Sequence, residues 1–199
     1  MEDLEFDRSL GINTVGTLEL LNQSVHYNRY EATPYMAMDE LFNQYELKKE
    51  DCIVDFGCGK GRVSFYVHNR FQLQTTGIEM NGRLYQDAMK NLESYTKRKK
   101  RKGFISFERC YAQEYEIQPE ENRFYFFNPF SIQIFMKVVD NILQSVDRNK
   151  RTVDLILYYP TNEYIQFIEN RTSFEFLDEV KIPELFDQND NERFIIFRL

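Results

Sequence analysis

Apolar and polar positions along this chain fall into two rhythms. Short apolar runs without alternation, such as Cys52-Ile53-Val54 and Phe124-Tyr125-Phe126-Phe127, predict buried strands. Between them lie longer segments with helical spacing. Residues 1–24 are mixed, broken by Gly11 and Gly16 and anchored by Leu18, Leu20 and Leu21, and predict a loop with one short helix. A helix is expected over Tyr35–Tyr45 through Met38, Leu41 and Phe42, with Pro34 marking its start and Thr33 placed to cap it. The run Cys52 to Phe56 predicts a strand, and Ser64-Phe65-Tyr66-Val67 the helix after it. Gln74–Met80 reads as a second strand, and Arg83 to Lys97 as a long helix carrying Leu84, Tyr85, Ala88, Met89, Leu92 and Tyr95 on one face. Ile105–Cys110 and Phe124–Phe127 supply the third and fourth strands, and Ile132–Val146 an amphipathic helix. Then come a strand over Val153–Pro160, a helix over Glu163–Asn170, and strands over Phe174–Ile182 and Glu192–Leu199. Strands alternating with helices imply an α/β fold with a mostly parallel sheet.

Composition narrows this picture. With 199 residues, 42% of them hydrophobic, the chain can bury one full core. A net charge of -7 argues against a surface that wraps nucleic acid, although a local basic patch remains compatible with it. Cys52, Cys58 and Cys110 lack metal-ligand spacing and suit buried thiols in a reducing compartment. No secretory pattern and no apolar stretch of about 18 residues occurs, so a cytoplasmic protein that does not enter membranes is expected.

The chemistry concentrates where the first strand ends. After Asp55-Phe56 come Gly57-Cys58-Gly59-Lys60-Gly61, a tight turn leading into a helix. Such a turn requires backbone conformations closed to residues with a Cβ, and close approach of a ligand. The dinucleotide fingerprint needs its third glycine three residues after the second, and a phosphate loop needs Gly-Lys followed by Ser or Thr. Neither is present. An acid two residues before the first glycine repels a pyrophosphate but pairs with an ammonium. This acidic-x-Gly-x-Gly-x-Gly stretch resembles the first motif of the class I, Rossmann-like S-adenosylmethionine-dependent methyltransferases. The resemblance covers roughly residues 26–199. It implies a three-layer α/β/α sandwich whose seven-stranded, mostly parallel sheet runs 3-2-1-4-5-7-6 with an antiparallel last strand. It also implies a lid or helical extension over residues 1–46, a cofactor-binding domain over 47–199, and S-adenosylmethionine as cofactor.

The same resemblance assigns candidate site residues. Asp55 holds the cofactor's ammonium and Gly57, Gly59 and Gly61 admit its methionine portion. Glu79 lies 22 residues after Gly57, close to the roughly 20-residue spacing of a ribose-binding acid, with Met80 against the adenine. Related enzymes carry an acid and then a small residue after the third strand; here Tyr111 stands before Ala112, so Tyr111 and Ala112 are the candidate cofactor contacts, with the backbone N–H of Ala112 and the amide of Gln113 serving the adenine amino group in place of the acid. Tyr27, Tyr30 and Thr33 lie in the Tyr-rich segment that resembles the family's lid. Asn128-Pro129-Phe130 resembles the (Asp/Asn/Ser)-Pro-Pro-(Tyr/Phe) motif of amino-group methyltransferases, one proline short. Asn128 and Phe130 are accordingly the candidate catalytic residues for a nitrogen acceptor, Asn128 bordering the cofactor too, and Tyr158, Tyr159 and Pro160 face the same rim.

Several features stay open at this point. His26 and His68 are too isolated for a metal centre, and no metal is expected; His26 is a candidate base and His68 a surface or capping residue. Cys58 is either a buried thiol or a reactive one. Lys97–Lys102 is either a solvated helix end or a contact for RNA or an acidic protein, on the edge opposite the carboxyl ends of the strands. The second possibility allows a non-catalytic cofactor-binding module that docks a partner; a nicotinamide oxidoreductase is disfavoured by the glycine spacing. The acceptor could be protein, RNA or a small-molecule amine.

Overall fold

The computed structural model describes residues 2–16, 28, 30–99 and 104–199. Helix α1 (Glu2–Leu10) and helix α2 (Tyr35–Gln44) precede strand β1 (Cys52–Phe56), helix α3 (Arg62–Phe71), strand β2 (Gln74–Ile78), helix α4 (Gly82–Lys99) and strand β3 (Ile105–Glu108). Then follow β4 (Arg123–Phe127), α5 (Ile132–Arg148), β5 (Asp154–Tyr158), α6 (Asn162–Arg171), β6 (Glu175–Lys181) and β7 (Arg193–Arg198). The sheet has the order β3-β2-β1-β4-β5-β7-β6. Strand β7 runs antiparallel to both β5 and β6, and the remaining pairs are parallel. The seven-stranded sandwich expected from the sequence is therefore the fold.

Successive residues of a strand point to opposite faces, and here both faces are covered. Val54 and Phe56 of β1, Phe124 and Phe126 of β4 and Leu155 and Leu157 of β5 pack against α5 and α6. Ile53, Tyr125 and Ile156 face the other way, against α2 and α3. Asp55 shares the parity of Ile53, which turns its carboxylate toward the α2–α3 side at the carboxyl end of the central strand. Helix α5 buries Ile134, Phe135, Val138, Val139, Ile142 and Val146, each contributing roughly 1.5–3 kcal/mol relative to exposure. That burial, rather than helix propensity, anchors the α5–α6 layer.

Two local expectations are corrected. Pro34, not Thr33, is the N-cap of α2; the Thr33 hydroxyl instead meets the Tyr125 hydroxyl at 2.8 Å. His68 is buried rather than superficial, with Nδ1 2.8 Å from the Tyr95 hydroxyl, joining α3 to α4. At the opposite edge from the strand ends, the fully buried Asp154 accepts two bonds from Arg198 at 2.7 and 2.8 Å and one from the Tyr45 hydroxyl. Arg123 stands 3.5 Å from the same carboxylate. Lys97 pairs with Glu93 one turn earlier at 2.5 Å, while Lys100–Lys102 and Gly103, like Tyr27 and His26, lie outside the described residues. Among the described residues no helix is long and apolar enough to cross a membrane, and no group of three or more His, Cys, Asp or Glu is placed to hold a metal ion.

Candidate cofactor and acceptor site

The turn between β1 and α3 is fastened to β2. The N–H groups of Gly57 and Cys58 both donate to the Ile78 carbonyl, at 2.9 and 3.1 Å. Gly57, Gly59 and Gly61 take φ values of +79°, +56° and +87°, which L side chains rarely adopt. Glu79 folds back over this turn: one carboxylate oxygen accepts from the N–H of Gly59 at 2.9 Å and the other from the N–H of Asn81 at 2.7 Å. Burial pushes its carboxyl upward while these N–H groups pull it down. The glycines also admit the chain's own side chains. A Cβ on Gly59 would lie 2.0 Å from the Tyr30 ring, one on Gly57 2.5 Å from Pro129, and one on Gly61 2.5 Å from Phe107. Tyr30 thus lies on the turn backbone, its hydroxyl donating to the Thr14 carbonyl at 2.7 Å.

Asp55 is 5% exposed, and no described residue donates a hydrogen bond to its carboxylate. Loss of hydration, reinforced by the charge of Glu79, raises its carboxyl to about 8. It walls a tight pocket together with Thr33, Arg62 and Tyr125. Arg62, the first residue of α3, is 4% exposed and holds the amino-terminal segment onto the turn. Its guanidinium donates to Asp3 at 2.5 Å, to the Thr14 hydroxyl at 2.6 Å and to the Thr33 carbonyl at 3.1 Å, and it sits over the Tyr35 ring. Cys58 is buried beneath the turn, where desolvation and the nearby carboxylates push its thiol far up and keep it protonated.

Beyond Asp55 opens a cleft that encloses about 700 Å³ when the space open to solvent is included. Tyr30, Gly57, Glu79, Met80, Ala112 and Phe130 line it, as do Asn28, Glu31, Ile78, Leu84, Cys110 and Phe127, which the sequence reading did not single out. Leu84 had appeared as a helix-face residue and Cys110 as a strand-end thiol; the topology brings both to the cleft. Thr33 lies behind the cleft on the Asp55 pocket. Tyr111 is 47% exposed and does not line it. Phe130 is 2% exposed and packs edge-on against Phe126, so it floors the cleft rather than projecting into it.

Strands β4 and β5 both leave the sheet through residues of positive φ, Asn128 at 38° and Tyr159 at 52°. The carbonyls of the intervening loop are engaged. The Asn28 side chain donates to the Asn128 carbonyl at 2.6 Å, the Asn28 N–H donates to the Pro129 carbonyl at 3.1 Å, and the Tyr164 hydroxyl donates to the Phe130 carbonyl. Asn128 itself lines a second cavity, beside the cleft, with Asn28, Glu31, Phe127, Tyr159 and Glu192. Phe127 is a wall of the cleft, of the Asp55 pocket and of this second cavity.

This geometry has known counterparts. The family described as "Histone methylation protein DOT1" matches the chain over residues 19–185. No curated protein matches it closely enough in sequence to count as a relative. Among solved structures, a candidate RNA methyltransferase from Pyrococcus horikoshii superposes with a TM-score of 0.59 at 16% identity, over 99% of this chain and 96% of that one. A phosphoethanolamine N-methyltransferase from Haemonchus contortus, holding S-adenosylhomocysteine, gives 0.59 at 14% identity over 82% of this chain and 52% of that one. The tRNA (uracil-54, C5)-methyltransferase of Pyrococcus abyssi, also with S-adenosylhomocysteine, gives 0.54 at 13% identity over 83% of this chain. The chain spans only 37% of that enzyme. At such identities the likeness is one of fold.

Proposed function

The chain belongs to the DOT1 histone-methylation family of S-adenosylmethionine-dependent methyltransferases, and from that premise we propose that it methylates a nitrogen acceptor presented where β4 and β5 leave the sheet. The observation that carries the reading is the Asp55 carboxylate, buried without a hydrogen-bond partner among the described residues beside the positive-φ glycine turn. A buried acid of that kind is costly unless a cation completes it, and the cofactor brings an ammonium.

The remaining residues fit the same group. Glu79 spends one lone pair of each oxygen on Gly59 and Asn81 and keeps capacity for two ribose hydroxyls. Ile78, Met80, Leu84 and Ala112 offer an apolar slot for the adenine, with Tyr30 and the turn backbone left for the methionine portion. Tyr111 and Gln113, neither of which lines the cleft, have no part in this arrangement. S-adenosylmethionine, when bound, supplies an electrophilic methyl group on a positively charged sulfur. The protein's share is then positioning and exclusion of water. Asn128 orients the acceptor from the second cavity, Phe127 is the aromatic wall between acceptor and cofactor spaces, and Phe130 supports both from below. Each carbonyl of this loop already accepts one hydrogen bond, from Asn28 or Tyr164, and retains a second lone pair for the acceptor beside the side chains.

The test is calorimetry with S-adenosylhomocysteine on the wild type and on Glu79→Ala. Binding to the wild type, weakened at least tenfold in the variant, is expected, since a pair of hydrogen bonds to a charged group is at stake. Equal affinity would remove Glu79 from the site. Methyl-labelled cofactor incubated with protease- or nuclease-treated lysate then reports the acceptor class by which treatment abolishes the label.

A further inference from the structure

We propose that the second cavity, beside the cofactor cleft, docks a positively charged group on the acceptor, next to its reacting nitrogen, through Glu31 and Glu192. The acceptor is then an aliphatic amine with more than one cation, whether a free polyamine or a peptide with neighbouring basic side chains, and not a nucleic acid. The inference rests on the methyltransferase reading above.

Four observations converge on it. First, neither Glu31 nor Glu192 has an ion-pair partner, and no lysine or arginine lines the cleft or the second cavity, among the described residues. Among the described residues the carboxylates of Glu31, Glu79 and Glu192 line these two spaces, while the nearest guanidinium, Arg62, lies on the neighbouring Asp55 pocket and is already paired with Asp3; such a lining favours cations over phosphates. Second, the two glutamates line one and the same cavity, where the Glu192 carboxylate is held in place by accepting from the Tyr158 hydroxyl. Third, the cavity carries aromatic walls, Phe127 and Tyr159, of the kind that stabilise ammonium groups. Fourth, it shares Asn28, Glu31 and Phe127 with the cofactor cleft. A cation held in it therefore sits beside the reacting centre rather than on it, which asks for a second positive group.

The probes are spermidine, a peptide with two adjacent lysines and a single-stranded RNA oligonucleotide, each titrated into the full chain with S-adenosylhomocysteine present. At least one amine probe is expected to bind, more weakly as salt is raised. Glu192→Gln, which keeps an acceptor for Tyr158, should weaken it about fivefold and Glu31→Gln/Glu192→Gln about tenfold or more. Glu192→Gln should leave S-adenosylhomocysteine affinity and the melting temperature unchanged; exposed Glu31 guards against a folding artefact. Spermidine alone binding assigns a free polyamine; the peptide alone, a basic peptide. Amine affinity indifferent to both substitutions, no binding by either amine, or preferential binding of the RNA would overturn the proposal while leaving the methyltransferase reading intact. A wild type that fails to bind S-adenosylhomocysteine would overturn both.

Discussion

Cofactor binding should be linked to protons through Asp55. With its carboxyl at about 8, about 1% of the buried acid is ionised at pH 6, about a tenth at pH 7 and half at pH 8. An ammonium bound beside it needs the ionised form. Apparent affinity for S-adenosylhomocysteine should therefore rise about tenfold from pH 6 to 7 and level off near 8, where the ligand's own amine begins to lose its proton. About one proton should be released at pH 7. The neighbours set the profile: Glu79 on the β2 end raises the Asp55 carboxyl, Arg62 on α3 and Glu31 on the incoming segment share its pocket, and Tyr30, Tyr125 and Cys58 stay neutral because burial raises them. Calorimetry at pH 7 in buffers of different ionisation enthalpy counts the proton. Asp55→Asn should abolish the release and flatten the profile, binding worse than wild type at pH 8 and little differently at pH 6. Stability has the opposite sign. A carboxyl raised in the folded state stabilises only below its unfolded pKa near 4, and that contribution is lost at about 1.4 kcal/mol per pH unit up to the folded value. The ligand-free Asp55→Asn protein should thus outlast wild type in urea, increasingly so from pH 5 to 8. A binding enthalpy independent of buffer, with an affinity flat across this range, would refute the assignment.

Three further outcomes follow from the packing. Gly59→Ala places a Cβ 2.0 Å from Tyr30 at positive φ and should cost about 2–3 kcal/mol in urea unfolding, falling to about 1 in a Tyr30→Ala background; strict additivity would mean that the ring does not lie on the turn. Arg62→Met removes the bonds to Asp3, Thr14 and Thr33 and should cost about 2–3 kcal/mol, since Asp3 is partly solvated, with hydrogen exchange rising first over residues 30–34; protection unchanged there would break the link. Asp154→Ala removes the carboxylate partner of the part-exposed Arg198 and leaves Arg123 with Asp51 alone and should cost about 2–3 kcal/mol by the same measurement, without altering S-adenosylhomocysteine affinity; a loss under 1 kcal/mol would contradict the burial of that cluster.

Strand limits and the long helices were legible because they rest on local periodicity, whereas the sheet order followed only from the family resemblance that the short glycine motif carries. Helix α4, expected over Arg83–Lys97, extends over Gly82–Lys99, a difference within ordinary fraying. What escaped the sequence were pairings across the chain. His68 reads as a helix-end histidine until α4 brings Tyr95 to it, 27 residues on. Arg62 reads as an ordinary helix-start cation; its role comes from Asp3, Thr14 and Thr33, none of which any local pattern connects to it. Asn28 carries no motif, and the loop whose carbonyls it engages lies 100 residues away. Thr33 looked like a cap because a capping hydroxyl and one aimed at a distant tyrosine are identical in sequence.

The segment that covers the glycine turn has no regular structure of its own at residues 31–34; side chains from elsewhere, Arg62 and Tyr125, keep it down at Thr33, and the missing Cβ of Gly59 leaves room for Tyr30 beside it. Exchanging a spent cofactor for a fresh one is on this account a small unfolding event, whose free energy is set by those few contacts. Turnover in such a protein would be tuned by substitutions far from any reacting atom, and strengthening the clasp would trade speed for retention.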